Sequence, residues 1–186
     1  DLITVAAEPF AVARSVIGDD PNADISAVLI DVGGGTTDIA VVNEGGVEGT
    51  VMYGIGGRSF TKSIERDFSI GFEQAEALKL GLSDGKTPDN KRVSVETALK
   101  KTLAVWSSGI SLALEEFTRL DHLPNRILLC GGGSSLQLIR DELSQGAWYK
   151  DLPFTKKPQV QFITPSQVAG IHDRTNLVTD HTIITA

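Results

Sequence analysis

The stretch LIDVGGGTTDIAVV, from Leu29 to Val42, decides the fold. It joins two apolar runs, Ala27–Asp31 and Ile39–Val42, through a row of glycines, and this order predicts the two strands of a β-hairpin. A Walker loop would place a Lys-Ser or Lys-Thr pair after the glycines, and a Rossmann turn would place a helix there. Because a strand follows instead, the sequence predicts an α/β fold with this hairpin inside a central sheet.

The residues between the two runs are of the kinds that bind phosphate and a hard metal ion. Glycines let the backbone approach a ligand, their N–H groups can converge on anionic oxygens, and threonine hydroxyls add donors. The predicted phosphate-binding residues are Gly33, Gly34, Gly35, Thr36 and Thr37. Asp31 and Asp38 carry carboxylates suited to Mg²⁺ that retains its waters, so they are the predicted metal ligands. An ordinary tight hairpin with a capping aspartate is the alternative interpretation.

Two later segments add predicted contacts to a nucleotide. Gly56 and Gly57 end the strand pattern before a helix, so they place a helix N-terminus, which favours anions, near the ligand. Glu76 and Lys79 are three positions apart in AEALK and share one helix face. Taken alone, such a pair is more simply a surface salt bridge, and only its position after the hairpin favours a role at the ligand.

The segment LLCGGGSSL, from Leu128 to Leu136, ends a buried strand in glycines. Gly131, Gly132 and Gly133 leave a flat stretch of backbone, and Ser134 is placed to cap the helix that follows. A plain strand–helix turn that needs glycine only for its dihedral angles is the alternative interpretation.

These segments predict a single nucleoside pocket. We expect Glu76, Lys79 and the glycines Gly131–Gly133 to meet in space, although they are far apart in the chain. Asp31 and the Gly33–Thr37 loop would lie at the far end of that pocket, where phosphates would reach.

Composition excludes several classes of protein. The chain of 186 residues has 41% hydrophobic residues, enough for one domain with a sizeable core, and its net charge of −7 argues against a nucleic-acid partner. No apolar run approaches the ~20 residues of a membrane span. The single cysteine, Cys130, excludes an internal disulfide and is interpreted as a small buried hydrophobe. The histidines are scattered without metal-ligand spacing, and no catalytic residue is predicted.

Hydrophobic periodicity predicts the other elements. The predicted strands are Leu2–Ala7, Val47–Ile55, Ile127–Cys130 and Val160–Ile163. The predicted helices are Pro9–Ile17, Phe72–Leu80 and Val93–Leu120. A polar loop is predicted at Gly81–Arg92, and Pro165 is predicted to begin a further helix.

The motif DVGGGTTD resembles the second phosphate motif of the actin, sugar-kinase and heat-shock chaperone superfamily. The segments EPFAVA, GGRSFT and AEALK are similar to the corresponding parts of FtsA and PilM, the actin-like ATPases of cell division and pilus assembly. The resemblance implies that Gly33–Thr37 form the loop for the β- and γ-phosphates, that Asp31 holds a metal-bound water, and that Asp38 is a second acid near the metal. It also implies that Glu76 and Lys79 hold the nucleoside. LLCGGGSSL resembles the adenosine motif of the superfamily, which implies that Gly131–Gly133 form a flat surface for a purine.

In that superfamily two similar halves clasp ATP and Mg²⁺ between them. The resemblance therefore implies an actin-like, ribonuclease H-like domain with a central mixed sheet flanked by helices. Residues 1–70 and 106–186 would form subdomain IIA, and residues 71–105 a reduced subdomain IIB. Nothing before Asp31 resembles a first phosphate motif, so we expect the first-half domain to be missing from this chain. The chain alone is then expected to turn over no ATP.

The function implied by the resemblance is that of a cytoplasmic adaptor which uses ATP as a conformational or polymerisation switch. Its partners would be the first half of its own protein, a protein at the inner face of the membrane and further copies of itself, with a partner surface around Phe72–Arg92. The alternative is an enzyme or chaperone of the same superfamily, such as a sugar kinase, an exopolyphosphatase or a diol-dehydratase reactivator.

Overall fold

The computed structural model describes residues 8–17, 24–168, 174, 177 and 180–183. Its centre is a mixed five-stranded sheet in the order β3-β2-β1-β4-β5. The strands are β1 (Ala27–Val32), β2 (Thr37–Asn43), β3 (Gly46–Tyr53), β4 (Arg126–Cys130) and β5 (Gln159–Phe162). The first three form an antiparallel meander, whereas β4 pairs in parallel with β1 and β5 in parallel with β4.

Helices cover both faces of this sheet. They are α1 (Glu8–Ile17), α2 (Gly57–Phe68), α3 (Phe72–Ser83), α4 (Asp89–Glu115) and α5 (Gln137–Gln145). Short 3₁₀ turns occupy Gly132–Ser135, Pro165–Gln167 and His181–Ile183. The predicted α/β fold with a hairpin inside a central mixed sheet is therefore confirmed.

Strand alternation divides the core into two layers. On one face Ile30 and Ile39 pack with Phe60 of α2 and Trp106 of α4, all fully buried. On the other face a smaller layer surrounds Ala13 of α1, with these fully or nearly fully buried neighbours: Ala27, Leu29, Ala40, Val42, Leu128, Cys130 and Ile163. Cys130 is thus a buried core residue, as predicted.

The long helix differs from its prediction at both ends. It begins at Asp89 and ends at Glu115, whereas the apolar pattern predicted Val93–Leu120. Pro88 supplies a φ of −56° just before the first turn, and the polar residues that follow carry no periodic signal. The predicted loop at Gly81–Arg92 is consequently much shorter, because α3 continues to Ser83.

Smaller differences concern the remaining elements. Pro165 opens a 3₁₀ turn of three residues, not an α-helix. The strand predicted at Leu2–Ala7 and the residue His172 lie outside the described residues. Within the part of the chain that the structure describes, none of the helices combines the length and apolar character needed to cross a membrane.

Candidate functional site

The glycine hairpin between β1 and β2 holds the two predicted metal ligands side by side. Asp31 and Asp38 are cross-strand partners in the antiparallel ladder, and each is only 4% exposed. Directly opposed residues of an antiparallel pair point to the same face, so both carboxylates lie on the α1 side of the sheet. The turn is closed by a hydrogen bond from the Gly33 amide to the Thr36 carbonyl at 3.0 Å. The Thr36 hydroxyl donates to Asp38 at 2.9 Å.

The Thr37 hydroxyl serves the fold and does not face the open side of the hairpin. Thr37 is fully buried on the opposite face from Asp38. Its hydroxyl donates to the Ile55 carbonyl at 2.7 Å and accepts from the Trp106 indole N–H at 2.9 Å. In this conformation the predicted hydroxyl contact from Thr37 to phosphate is therefore not made, whereas the half-buried Thr36 remains accessible.

The N-terminus of α2 is joined to the hairpin by backbone hydrogen bonds. The Gly57 amide donates to the Gly33 carbonyl at 2.9 Å, and the Arg58 amide donates to the Gly34 carbonyl at 2.7 Å. A Cβ on Gly56 would lie 2.6 Å from the Gly33 carbonyl oxygen. This helix start was predicted to lie near the ligand, where its dipole would favour an anion. Its first two amides, those of Gly57 and Arg58, bond the hairpin. Gly56 is thus needed for close backbone packing, whereas a Cβ on Gly57 would make only ordinary contacts at 3.6 Å or more.

Glu76 and Lys79 form the centre of a polar network on α3. The Lys79 ammonium lies 2.8 Å from the Glu76 carboxylate and donates to Thr61 at 2.9 Å and to the Gly57 carbonyl at 3.1 Å. The Thr61 hydroxyl also donates to the Glu76 carboxylate. The Lys79 side chain is only 11% exposed, so this pair is not the freely solvated salt bridge of the alternative interpretation.

The pKa of Glu76 reflects these contacts. Partial burial is the largest effect and raises it, but hydrogen bonds from Lys79 and Thr61, together with the charge of Lys79, outweigh burial. The pKa of Glu76 therefore lies below its ordinary value, and the carboxylate is ionised at neutral pH.

The three glycines after β4 have unequal surroundings. Gly131 has a φ of +85°, and a Cβ there would collide with a carboxylate oxygen of Asp31. A Cβ on Gly133 would lie 2.7 Å from a methyl carbon of Val32, whereas Gly132 has nothing within 4 Å of that position. Two of the glycines are therefore required for packing against the hairpin, and Gly132 alone presents an open face.

Ser134 does not cap the following helix, contrary to the prediction. Its hydroxyl donates to the Gly131 carbonyl at 2.6 Å, and the residue is almost fully buried. The intervening 3₁₀ turn moves the start of α5 to Gln137, with Leu136 at the cap position and no side-chain capping bond.

A cavity of about 420 Å³ lies where these elements converge. Of the predicted site residues it is lined by Gly34, Gly57, Glu76, Lys79, Gly132 and Gly133. Glu76 and Lys79 thus share a cavity with Gly132 and Gly133 but not with Gly131, and its volume is within the range of small-ligand pockets. That this cavity holds a nucleoside stays a prediction. The other predicted residues, Gly33, Gly35, Thr36, Thr37, Gly56, Gly131, Ser134, Asp31 and Asp38, do not line this cavity.

Asp31 and Asp38 nevertheless have the chemistry of a magnesium site shared with a ligand. Among the described residues, no group of three or more His, Cys, Asp or Glu side chains is placed to hold a metal. Mg²⁺ in nucleotide sites commonly uses one or two carboxylates, several waters and the phosphates of the ligand. Two adjacent carboxylates beside a glycine loop fit that kind of site, and do not fit a cation cage made only of protein.

Sequence reasoning missed several residues of the site, among them the cavity-lining Arg58, Phe72 and Leu80 and the Glu76 partner Thr61. Phe72 and Leu80 line the cavity and lie four positions from Glu76 on either side, so the helical period that paired Glu76 with Lys79 could have found them. Arg58 carries no comparable signal, because its side chain turns back over the hairpin. Its guanidinium lies 3.8–4.0 Å from the positions that Cβ atoms would take on Gly34 and Gly35.

Sequence comparison relates most of the chain to one family. The family model described as cell division protein FtsA matches residues 28–175. The cell division protein FtsA of Neisseria meningitidis serogroup B is 33% identical over 186 aligned residues, which cover 90% of this chain and 43% of that protein. The chain therefore spans less than half the length of this relative.

Structural comparison finds actin-like folds. The PilM–PilN type IV pilus biogenesis complex matches with a TM-score of 0.65 at 20% identity, over 90% of this chain and 44% of the matched chain. MreB5 of Spiroplasma citri, solved with bound ADP, matches with a TM-score of 0.57 at 21% identity, over 90% of this chain and 57% of the matched chain. At these identities the likeness concerns the fold.

Proposed function

Since the chain belongs to the FtsA family of cell division proteins, we propose that it forms the nucleotide-binding second half of an actin-like adaptor. In this proposal ATP and Mg²⁺ bind between the chain and a first-half domain. The bound nucleotide switches the protein between states that differ in partner binding or in polymerisation. The observation that carries the proposal is the cavity in which the Glu76–Lys79 pair faces the glycine loop.

The cavity and the hairpin next to it each support part of the proposed contact with ATP. Glu76 is an ionised acceptor suited to ribose hydroxyls, and Lys79 is a nearby donor. The open face of Gly132 leaves room for a purine ring, with Phe72 and Leu80 as apolar neighbours. The hairpin residues Gly33–Thr36 would meet the phosphates, and Asp31 and Asp38 would hold Mg²⁺ through its waters. A bound Mg²⁺ would neutralise phosphate charge.

The cavity offers less support for a sugar-kinase role. Among the described residues that line it, Glu76 is the sole carboxylate, and it is ion-paired with Lys79. A phosphoryl-transfer enzyme needs a base directed at an acceptor hydroxyl, and this paired carboxylate is poorly placed to act as one. An adaptor needs nucleotide binding and a change of shape, without an acceptor.

The cellular setting follows from the same family. We place the complete protein in the cytoplasm, at the inner face of the membrane through its partners. The related PilM structure was solved together with PilN, which supports a protein partner for this chain too. The surface expected for that partner, Phe72–Arg92, was predicted to lie away from the nucleotide, but α3 lines the cavity with Phe72, Glu76, Lys79, Leu80 and Ser83. We therefore limit the proposed partner surface to residues 84–92, which are exposed except for Thr87.

The experiment is a calorimetric titration of the complete protein with ATP, with and without Mg²⁺. Replacing Glu76 by alanine is expected to weaken ATP binding by about 1–3 kcal/mol, the usual cost of losing a hydrogen bond to a charged group. Glu73→Ala is the matched control, because Glu73 is exposed on the same helix and does not line the cavity. Absence of ATP binding by the wild type, or equal affinities of wild type and Glu76→Ala, would refute the proposal.

A further inference from the structure

Arg58 lies over the tip of the glycine hairpin. Its amide donates to the Gly34 carbonyl at 2.7 Å, so the backbone of α2 is attached to the loop at this residue. Three guanidinium atoms lie 3.8–4.0 Å from the Cβ position of Gly34, and a fourth lies 3.9 Å from that of Gly35. The flat cation thus covers the part of the loop where side chains are absent, and it lines the cavity.

The positive charge of Arg58 is not paired within the cavity. The described residues that line the cavity include three ionisable side chains, and two of them, Glu76 and Lys79, neutralise each other. Among the described residues Arg58 makes no ion pair. It also stands in the first turn of α2, which holds no acidic residue, and a helix dipole disfavours a cation there. In a chain with a net charge of −7, this is a localised cationic site.

The position of Arg58 relative to the proposed ligand suggests which group it meets. With the ribose at Glu76 and Lys79, the phosphates extend from there past Gly57 toward the hairpin. Gly57 lies between these groups, since its Cβ position is 3.6 Å both from the Lys79 ammonium and from the Gly33 carbonyl oxygen. The guanidinium over Gly34 and Gly35 would therefore lie beyond the first phosphates and next to the last one.

Resting on the nucleotide-binding function proposed above, we propose that Arg58 binds the terminal phosphate of a nucleoside triphosphate and makes the site prefer the triphosphate to the diphosphate. A guanidinium donates two parallel N–H bonds to one phosphate, which a lysine ammonium cannot reproduce. The γ-phosphate would place an anion opposite the unbalanced charge, and a diphosphate would leave Arg58 without that contact. Arg58 is then a specificity-determining residue of the switch.

The test compares ATP, ADP and AMP binding to the complete protein by calorimetry, in the presence of Mg²⁺. Arg58→Ala is expected to weaken ATP binding roughly tenfold or more and ADP binding less than about threefold, with AMP unchanged. Arg58→Lys keeps the charge but lacks the two parallel donors, so it should show an intermediate loss for ATP. Thermal unfolding of each variant, followed by circular dichroism, should match the wild type because the side chain is exposed and its amide is retained.

Arg66→Ala is the matched control. Arg66 is an exposed arginine in the last turn of the same helix, where it pairs with Asp67, so its replacement changes the net charge equally without touching the cavity. Three results would overturn the inference without contradicting the proposed ATP binding: equal losses of ATP and ADP affinity in Arg58→Ala, no loss of either in Arg58→Ala, or a loss of the same size in Arg66→Ala. A wild type that binds none of the three nucleotides would instead refute the proposed function itself, and this inference with it.

Discussion

Gly131, Gly132 and Gly133 are adjacent in sequence, but each is a glycine for a different reason. Gly131 adopts a positive φ and packs against Asp31, and Gly133 packs against the backbone of Val32 and Gly33. Gly132 is exposed at the cavity and has free space around its Cβ position. From the sequence alone, all three glycines could equally well form a flat surface for a purine.

The matched substitutions Gly132→Ala and Gly133→Ala separate these roles. Gly133→Ala is expected to reduce the free energy of unfolding by about 1–3 kcal/mol, because the new methyl overlaps Val32. Gly132→Ala should change it by less than about 0.5 kcal/mol. Urea denaturation measures both. Equal destabilisation by the two variants would contradict the assignment of Gly133 to packing.

Gly132→Leu, which fills the open face, should weaken ATP binding without loss of stability.

The low pKa of Glu76 predicts a pH dependence of stability. A carboxyl whose pKa is lower in the folded than in the unfolded state stabilises the fold above its ordinary pKa, here 4.5, and this contribution is lost as the pH falls through the folded value. The difference in unfolding free energy between wild type and Glu76→Gln should therefore be constant near neutral pH and shrink below about pH 4.5. Denaturation curves between pH 7 and pH 3 measure it. A difference that stayed constant over that range would show that Glu76 is not held ionised by Lys79 and Thr61.

At the scale of elements, one hydroxyl connects the glycine hairpin to α4, the longest helix among the described residues. Thr37 at the start of β2 bonds both Ile55, just before α2, and Trp106 in the middle of α4. The hydroxyl of Tyr53 on β3 adds a bond to the Trp106 carbonyl at 3.2 Å. A shift of the hairpin on ligand binding would therefore be transmitted to α4 through the indole of Trp106, which is fully buried.

Replacing Thr37 by valine removes this connection at nearly constant shape. The Ile55 carbonyl and the Trp106 N–H would both lose a buried partner, so we expect a loss of about 2–4 kcal/mol in unfolding free energy. Thr50→Val on the neighbouring strand is the control, because Thr50 is exposed and should be nearly neutral. Chemical denaturation, with tryptophan fluorescence as the signal, gives both values. A Thr37→Val protein as stable as Thr50→Val would mean that the network contributes nothing to stability.

The elements also show where periodicity fails as a guide. The buried stripe of α4, including Leu99 and Ile110, was visible because core packing repeats at the helical period. Periodicity could not predict the first turn after Pro88 or the last turn of α3, because exposed polar residues are equally compatible with a helix and with a loop. Helix bounds were therefore less certain than helix existence.

At the scale of the whole molecule, parallel pairing assembles the site. Register places Asp31 opposite Cys130, so the glycine loops that follow β1 and β4 emerge next to each other at one edge of the sheet. α2 starts against the first loop, and α3 brings Glu76 and Lys79 to the second. Segments up to about a hundred residues apart in the chain thus line one cavity.

The sequence by itself determined the hairpin, the two acids on it, the α/β fold and the family resemblance. These depend on local chemistry: apolar periods, glycine conformations and the residue types that bind phosphate are all readable along the chain. Only the tertiary structure decided which side chains face the cavity. In the folded chain the Thr37 hydroxyl points into the core, the first amides of α2 bond the hairpin, and the Arg58 side chain lies over Gly34 and Gly35. Such choices depend on strand register and on helix packing across the sheet, which are set by distant parts of the chain and leave no local pattern.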